Sequence, residues 1–328
     1  MWRDRQLAWR PIAYLCIEPK DSTMLNQTHY KLAEGVEIPS VGFGTYLIGN
    51  DEVADAVYTA IKAGYRHIDT AEAYRNEEGV GLGIRRAMAE LGLKREDLFV
   101  TTKLWPGNPA WGHPAKDYTS TIDAFNKSLE RLQLEYVDLY LTHAPFGDRL
   151  EVWRALADLK RQGKTRAIGV SNYNQSHIEE LADAGLPLPD ANQIELHPWS
   201  QKPELVSFLK ENAITIIAYS SLVPLSTWRT AEGHDSAKTE KMKADSSAEA
   251  SPFRAMAEKY GVSEAQLLLR WALEKGYAVL PKSTKEARMK QNIDLFSFEI
   301  DEQDMAAMER LDRGDGVAWS SGDPTHAT

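Results

Sequence analysis

Three residue types suited to proton transfer close three consecutive apolar runs of the chain. Asp69, Lys103 and His143 stand at or beside the ends of these runs and supply a carboxylate, an ammonium and an imidazole. Side chains of these types donate, accept and steer protons in general acid–base catalysis. A single polar residue at a strand end is more often a contact with solvent, but the three together favour an active site. Asp69 beside Lys103 would satisfy both charges in a partly buried site.

A tyrosine lies close enough in the sequence to join this set. Tyr74 follows Asp69 by five residues, in the loop after the same apolar run. An ammonium near a phenol favours the phenolate and lowers the tyrosine pKa from its ordinary value of about 10. We therefore predict that Lys103 lowers the pKa of Tyr74, so that this phenol donates a proton near neutral pH.

Eight short apolar runs would carry these residues to one place. The runs are Val41–Thr45, His67–Thr70, Leu98–Lys103, Val137–His143, Arg166–Val170, Ala191–Ile194, Ile214–Tyr219 and Tyr277–Leu280. Amphipathic segments of helical length separate them, for example Asp51–Ala63, Asn76–Leu91, Ser120–Leu132, Leu150–Gln162 and Ser263–Glu274. Most runs are apolar throughout, as parallel strands buried on both faces are. The alternation predicts a (β/α)8 TIM barrel rather than a doubly wound sheet, with the active site at the carboxyl ends of the strands.

The segments outside this alternation predict further features. His29–Leu32 and Val36–Ile38 predict an N-terminal β-hairpin that closes the bottom of the barrel. Residues 1–23 are expected to be a disordered extension or the product of an upstream start codon, so that residues 24–328 form a single barrel domain. Pro106–Asp117 and Val223–Ala250 are long loops at the carboxyl face, expected to be lids or substrate loops or else disordered insertions.

The composition narrows the classes of protein. A formal net charge of -10 argues against nucleic acid as the main partner, because phosphate binding needs a basic surface. Cys16 is the only cysteine, which excludes a disulfide within the chain and indicates a reducing, cytoplasmic compartment. No run of about 18 apolar residues is present, so no membrane span is expected. The histidines lack metal-ligand spacing, so no metal is expected, and we expect a monomer or a weak homodimer.

Eight motifs resemble those of the aldo-keto reductase family and follow the family order. They are Gly64–Tyr74 with Asn76 and Glu77, Thr102–Trp105, Leu141–His143, Gly169–Asn172, Gln193–Pro198, Ala218–Ser220, Pro281–Ser283, and the pair Arg288 and Asn292. One motif alone would be weak, but eight at the family spacing are specific. The resemblance implies a (β/α)8 barrel that reduces aldehydes and ketones to alcohols with NADPH and without a metal.

The resemblance also implies a catalytic tetrad of Asp69, Tyr74, Lys103 and His143. Tyr74 would protonate the carbonyl oxygen while the nicotinamide delivers hydride to the carbon. Lys103, paired with Asp69, would lower the barrier to that proton transfer, and His143 would orient the carbonyl.

Contacts with NADPH follow from the same resemblance. The implied positions are Thr45, Ser171, Asn172, Gln193, Tyr219, Ser220, Leu222, Lys282, Ser283, Arg288 and Asn292. Ser171, Asn172 and Gln193 would surround the carboxamide, Tyr219 would stack on the nicotinamide ring, and Ser220 and Leu222 would lie along the pyrophosphate. Lys282, Ser283 and Arg288 would hold the 2′-phosphate, and Asn292 the adenine. A lysine and an arginine at a strand–helix turn also make an anion site on physical grounds.

The substrate pocket departs from the family pattern at one position. Ala144 follows His143 where many members carry Trp, so one aromatic wall is missing. We therefore predict that Ala144 borders the pocket and that the enzyme accepts a broad range of carbonyl compounds. Tyr46 and Trp105, directly after strand ends, are candidates for substrate contact, with simple packing as the alternative. A cofactor-binding regulatory or interaction subunit on the same barrel is the alternative function.

Overall fold

The structure, a computed structural model, describes residues 28–225, 251–319 and 322–327 of the chain. The predicted extension at residues 1–23 lies outside these residues, as does most of the predicted loop Val223–Ala250. Within the described ranges no helix combines the length and the apolar character needed to cross a membrane.

Two antiparallel strands precede eight parallel strands. The strands are β1 (His29–Ala33), β2 (Val36–Pro39), β3 (Gly42–Gly44), β4 (His67–Asp69), β5 (Phe99–Leu104), β6 (Val137–Thr142), β7 (Thr165–Ser171), β8 (Ala191–Glu195), β9 (Thr215–Tyr219) and β10 (Ala278–Val279). From β3 to β10 each strand pairs with the next in sequence. The first and last of these meet, because Val41 forms a parallel bridge with Val279 and the Gly44 amide donates to the Pro281 carbonyl at 3.1 Å. The predicted (β/α)8 barrel is confirmed.

Helices follow the strands and cover the outside of the barrel. In the described ranges they are α1 (Val53–Lys62), α2 (Glu77–Leu91), α3 (Tyr118–Leu132), α4 (Arg149–Arg161), α5 (Gln175–Asp183), α6 (Pro203–Glu211), α7 (Arg254–Tyr260), α8 (Glu264–Glu274), α9 (Glu286–Ile293) and α10 (Glu302–Glu309). Side chains fix several starts: Asp117 accepts the Ser120 amide at 2.8 Å before α3, and Ser263 accepts the Gln266 amide at 3.2 Å before α8. The amphipathic segments predicted from sequence are therefore helices, with ends within about two residues of the prediction.

The hairpin β1–β2 closes one end of the barrel, as predicted. We call the end at the amino termini of the strands the lower end, and the opposite end the upper face. Leu32, Val36 and Ile38 are buried with barrel-interior residues such as Leu139. Burial of these apolar side chains keeps water out of the lower end. The upper face is the end that carries the polar strand ends.

Candidate active site

A buried ion pair lies where β4 and β5 end. The Lys103 ammonium is 2.5 Å from a carboxylate oxygen of Asp69, and it also donates to the Thr70 carbonyl at 2.9 Å. Lys103 is completely buried, with 0% of its surface exposed. Parallel pairing of the two strands sets Asp69 beside Thr101, which brings the end of β5 next to the carboxylate. The two charges satisfy each other, as a buried pair must.

Tyr74 and His143 complete a compact group around this pair. Tyr74 ends a short 3₁₀ turn, Glu72–Tyr74, and Arg75 follows it with a φ of 55° that turns the chain away. The Lys103 ammonium donates to the Tyr74 hydroxyl oxygen at 3.4 Å. The rings of Tyr74 and His143 lie edge to face with centroids 5.5 Å apart. The structure therefore brings together all four residues of the predicted tetrad.

The protonation of the tetrad differs from the sequence-based expectation in one respect. Burial raises the pKa of Tyr74 well above its ordinary value, and Asp69 raises it further. The prediction that the pKa of this phenol is lowered is therefore wrong, because desolvation disfavours the phenolate and the negative charge of Asp69 disfavours it further. Burial also lowers the pKa of Lys103, against the opposing effect of Asp69.

His143 is held in its neutral form. Burial lowers the pKa of His143 well below its ordinary value, and the positive charge of Lys103 lowers it further. Its Nδ1 atom has no hydrogen-bond partner among the described residues. A neutral imidazole at neutral pH carries one N–H donor, which can bind a carbonyl oxygen without competing for a proton.

Amide and hydroxyl groups from β7, β8 and β9 connect to this group. Gln193 donates to the second oxygen of Asp69 at 2.9 Å. Asn172 donates to the His143 carbonyl at 3.1 Å, and Tyr219 donates to the Asn172 side chain at 2.7 Å. Ser171 donates to the Gln193 carbonyl at 2.8 Å. These four predicted cofactor positions therefore join the tetrad in one hydrogen-bonded network at the upper face.

The remaining cofactor positions next to the strands are also well defined. Thr45 is buried after β3, and its hydroxyl donates to the Asp69 carbonyl at 3.0 Å. Ser220 follows β9 with a φ of 57°, and Leu222 is half-buried two residues later. Their contacts with a cofactor stay predictions.

The positions predicted for the far end of the cofactor lie between β10 and α9. Lys282 is half-buried, Ser283 and Asn292 are buried, and Arg288 is exposed. Helix α9 begins after Lys285 without a side-chain cap, so its first amide groups stay available to an anion. Burial lowers the pKa of Lys282, and Glu52 opposes this effect. Two cations at an uncapped helix start fit the 2′-phosphate of NADPH.

An aromatic cluster extends outward from His143. Trp105 lies 6.0 Å from His143 between ring centroids and stacks on Trp111 at 6.0 Å. Phe146 contacts both indoles, with centroids 6.0 Å from Trp105 and 5.4 Å from Trp111. Tyr46 packs on Tyr74 at 5.1 Å and is 46% exposed. Trp105 and Tyr46 thus adjoin the tetrad, whereas Trp111 and Phe146 were not predicted from sequence.

Ala144 does not belong to this accessible surface. Its side chain is completely buried, with 0% exposed, although His143 directly precedes it. The prediction that Ala144 borders the pocket is therefore wrong, because a side chain with no exposed surface does not line an accessible pocket. The aromatic surface beside the tetrad comes from the loop residues instead.

Sequence reasoning also missed Trp319. Its ring lies 6.3 Å from that of His143, and its indole N–H donates to the Tyr219 hydroxyl at 3.0 Å. Trp319 lies ten residues beyond the end of α10 and belongs to no repeating pattern, so periodicity could not have found it. Among the residues described, no group of three or more His, Cys, Asp or Glu side chains is placed to hold a metal ion.

Comparison with known proteins agrees with this geometry. The sequence profile of the aldo/keto reductase family matches residues 40–313. The chain is 40% identical over 289 residues to a glyoxal reductase of Bacillus subtilis, covering 88% of this chain and 94% of that protein. It is 37% identical over 309 residues to an NAD(P)H-dependent D-xylose reductase of Scheffersomyces stipitis, covering 86% and 93%.

A solved structure shares the fold as well. An aldo-keto reductase of Bombyx mori in complex with NADP superposes with a TM-score of 0.79 at 34% identity, covering 90% of this chain and 96% of that one. A (β/α)8 barrel with this tetrad at its upper face defines the class of protein. The chain belongs to the aldo/keto reductase family.

Proposed function

We propose that this protein is an NADPH-dependent carbonyl reductase that converts aldehydes and ketones to alcohols. The observation that carries the proposal is the position of Lys103, which bonds at once to the Asp69 carboxylate and to the Tyr74 hydroxyl. A buried ammonium next to a phenol stabilises negative charge that develops on the phenol oxygen. The likeness to glyoxal and D-xylose reductases supports the same class of reaction.

NADPH, when bound, would supply the hydride that reduces the carbonyl carbon. Tyr74 keeps its proton at neutral pH because its pKa is raised, so the acid is present when the substrate arrives. It passes that proton to the carbonyl oxygen as negative charge develops there. Lys103 then stabilises the phenolate that remains, while Asp69 holds Lys103 in place. The neutral His143 donates its N–H to the carbonyl oxygen and so orients it.

The cofactor would lie along the upper face from β7 to α9. The residues that would hold it are Thr45, Ser171, Asn172, Gln193, Tyr219, Ser220, Leu222, Lys282, Ser283, Arg288 and Asn292. The cations Lys282 and Arg288 support NADPH rather than NADH, because only NADPH carries a 2′-phosphate. The uncapped start of α9 adds amide donors and a favourable helix dipole to that site.

We further propose that the enzyme is broad in its substrates. Support comes from exposed aromatic side chains at the edge of the site: Tyr46 is 46% exposed and Trp111 is 43% exposed. Aromatic surfaces bind apolar and aromatic groups of many shapes, with little directional constraint.

The test is a set of NADPH-oxidation assays with glyoxal, D-xylose and a bulky aromatic aldehyde. We expect wild-type turnover with more than one of them, and loss of turnover with all of them in Lys103→Met. Methionine is unbranched like lysine and one atom shorter, and it lacks the charge. NADPH binding without oxidation of any carbonyl would contradict the proposal and favour a regulatory subunit. Equal turnover in both proteins would show that the activity does not belong to this site.

A further inference from the structure

The segment at residues 313–319, which we call the C-terminal strap, is anchored to the upper face. The carboxylate of Glu195, at the end of β8, accepts the amides of Val317 and Ala318 at 2.7 and 2.8 Å. The Nε2 atom of His197 lies 2.9 Å from Oε1, the carboxylate oxygen that also accepts the Val317 amide. Glu195 is 1% exposed, so these bonds are shielded from water. The strap is therefore built into the barrel rather than laid loosely on it.

A glycine lets the strap approach this closely. A Cβ atom at Gly316 would lie 2.6 Å from a Glu195 carboxylate oxygen and 2.8 Å from one of Asp323. The Gly316 amide donates to Asp323 at 2.6 Å, and Asp323 is also paired with Lys202. Close approach on both sides fixes the direction in which the chain leaves this point.

The strap ends at Trp319, which begins a chain of hydrogen bonds into the site. The indole N–H of Trp319 donates to the Tyr219 hydroxyl at 3.0 Å. That hydroxyl donates its own proton to the Asn172 side chain at 2.7 Å. Asn172 in turn donates to the His143 carbonyl at 3.1 Å. Three bonds thus connect the strap with the backbone of a tetrad residue.

The two bonds at the Tyr219 hydroxyl have distinct roles. A phenol has one proton to give, and here Asn172 takes it. The Tyr219 oxygen can still accept a hydrogen bond, and the indole N–H of Trp319 donates it. With both bonds made, the far end of the Tyr219 ring is held from two directions. Loss of the indole donor would leave the ring end held from one direction only.

We propose that Trp319 is a positioning residue, which fixes the Tyr219 ring for the nicotinamide. This inference rests on the proposed function, in which that ring stacks on the nicotinamide. Trp319 acts through Tyr219, so its effect belongs to NADPH binding and requires the tyrosine hydroxyl. Contact of the indole with the carbonyl substrate would not have this requirement.

The test is a double-mutant cycle of Trp319→Phe and Tyr219→Phe, followed by the Kd of NADPH without substrate. Phenylalanine keeps an aromatic ring at each position; it removes only the hydroxyl at position 219, and at position 319 it removes the indole N–H together with part of the ring system. We expect each single variant to weaken NADPH binding about three- to tenfold, the range for one lost hydrogen bond. The double variant is expected to bind NADPH as Tyr219→Phe does.

Four outcomes separate the inference from the proposed function. Multiplying losses in the double variant would overturn it, because Trp319 would then act independently of Tyr219. An unchanged Kd in Trp319→Phe, or a change only in the KM for the carbonyl compound, would overturn it while leaving the reductase intact. Wild-type protein that does not bind NADPH would overturn the proposed function, and this inference with it.

Discussion

The barrel contains a buried aspartate near each end, and the two are used differently. At the lower end both oxygens of Asp138 are bonded: Arg95 lies at 2.7 Å, Arg166 at 2.8 Å, and the Val100 amide at 2.9 Å. At the upper face Asp69 is bonded to Lys103 and Gln193. Both carboxylates are almost fully buried, so burial alone does not distinguish them.

The two aspartates differ in where the hydrogen bonds of their partners lead. The partners of Asp138 lie on β5, on β7 and in the turn before β5, so its bonds tie these elements together. Those of Asp69 continue through Lys103 to Tyr74, which is partly exposed. Beside Tyr74 stands His143, with the two ring centroids 5.5 Å apart. A hydrogen-bonded network whose members bond only to one another stabilises the fold, whereas one that reaches a partly exposed side chain leaves a donor for a substrate.

The largest expected effect is that of Tyr74→Phe, which removes the hydroxyl that donates the proton. We predict a fall in kcat of about a hundred- to ten-thousandfold with NADPH binding preserved, because only the proton transfer is lost. The control is Tyr140→Phe, since the buried Tyr140 hydroxyl has no hydrogen-bond partner in the described ranges. Single-turnover rates should separate the two. A loss of less than about tenfold in Tyr74→Phe would exclude it as the acid.

The next prediction exchanges the two aspartates for asparagine. Asp138→Asn should lower the free energy of unfolding by about 3 kcal/mol, because two arginines lose their counter-charge, while the folded enzyme keeps its kcat. Asp69→Asn should instead lower kcat by about tenfold or more, since Lys103 is no longer held. Urea unfolding and initial rates measure the two quantities. The comparison fails if Asp138→Asn lowers kcat as much as Asp69→Asn does.

Much of the fold was predictable from sequence because its signals are local. Apolar runs and helical spacing are properties of neighbouring residues, and they located the strands and helices, the hairpin among them. The tetrad was predictable because each member stands at a fixed place relative to a strand end. The motifs follow one another along the chain in the same order as in the aldo-keto reductase family.

Other properties depend on atoms that are distant in sequence. The direction of the Tyr74 pKa follows from the protein packed around the phenol, which no spacing reveals. Ala144 directly follows His143 in the chain, but its side chain has no exposed surface. Trp319 reaches the site only because Glu195 and Asp323 hold the strap. These are contacts of tertiary structure, and a sequence pattern carries no signal for them.

The third prediction concerns two cations of the proposed cofactor site, which lie away from the tetrad. Replacing Lys282 and Arg288 with Met should weaken NADPH binding by about 2–4 kcal/mol, because charged hydrogen bonds to the 2′-phosphate are lost. NADH, which lacks that phosphate, should bind as before. Dissociation constants for both cofactors provide the measurement. Equal losses for the two would place the cations elsewhere on the cofactor or away from it.

The fourth prediction uses a histidine at the lower end. His67 is buried beside Thr101, with Nε2 3.0 Å from its hydroxyl, and burial lowers its pKa to about 4. The unfolded chain has the ordinary value of about 6.5. A depressed folded pKa stabilises the protein above pH 6.5, and this stability is lost as the pH falls toward 4.

Acidification from about pH 7 to about pH 5 should therefore remove about 2 kcal/mol through His67. The measure is the difference between wild type and His67→Gln in urea unfolding at both pH values. The variant lacks this titration, so its stability should fall less on acidification. An equal fall in both proteins would show that His67 does not titrate in this range.

The last prediction treats Ala144 as a buried packing residue, although it lies at the upper face. Its side chain has no exposed surface, so a larger residue must displace its neighbours. Ala144→Leu should lower the free energy of unfolding by about 1–3 kcal/mol through overpacking. The ratio of kcat/KM for a bulky and a small aldehyde should stay unchanged, because the added carbons do not enter the pocket. Trp111→Ala, which changes the exposed aromatic cluster, should move that ratio. A shift in the ratio with Ala144→Leu, at unchanged stability, would mean that position 144 faces the substrate after all.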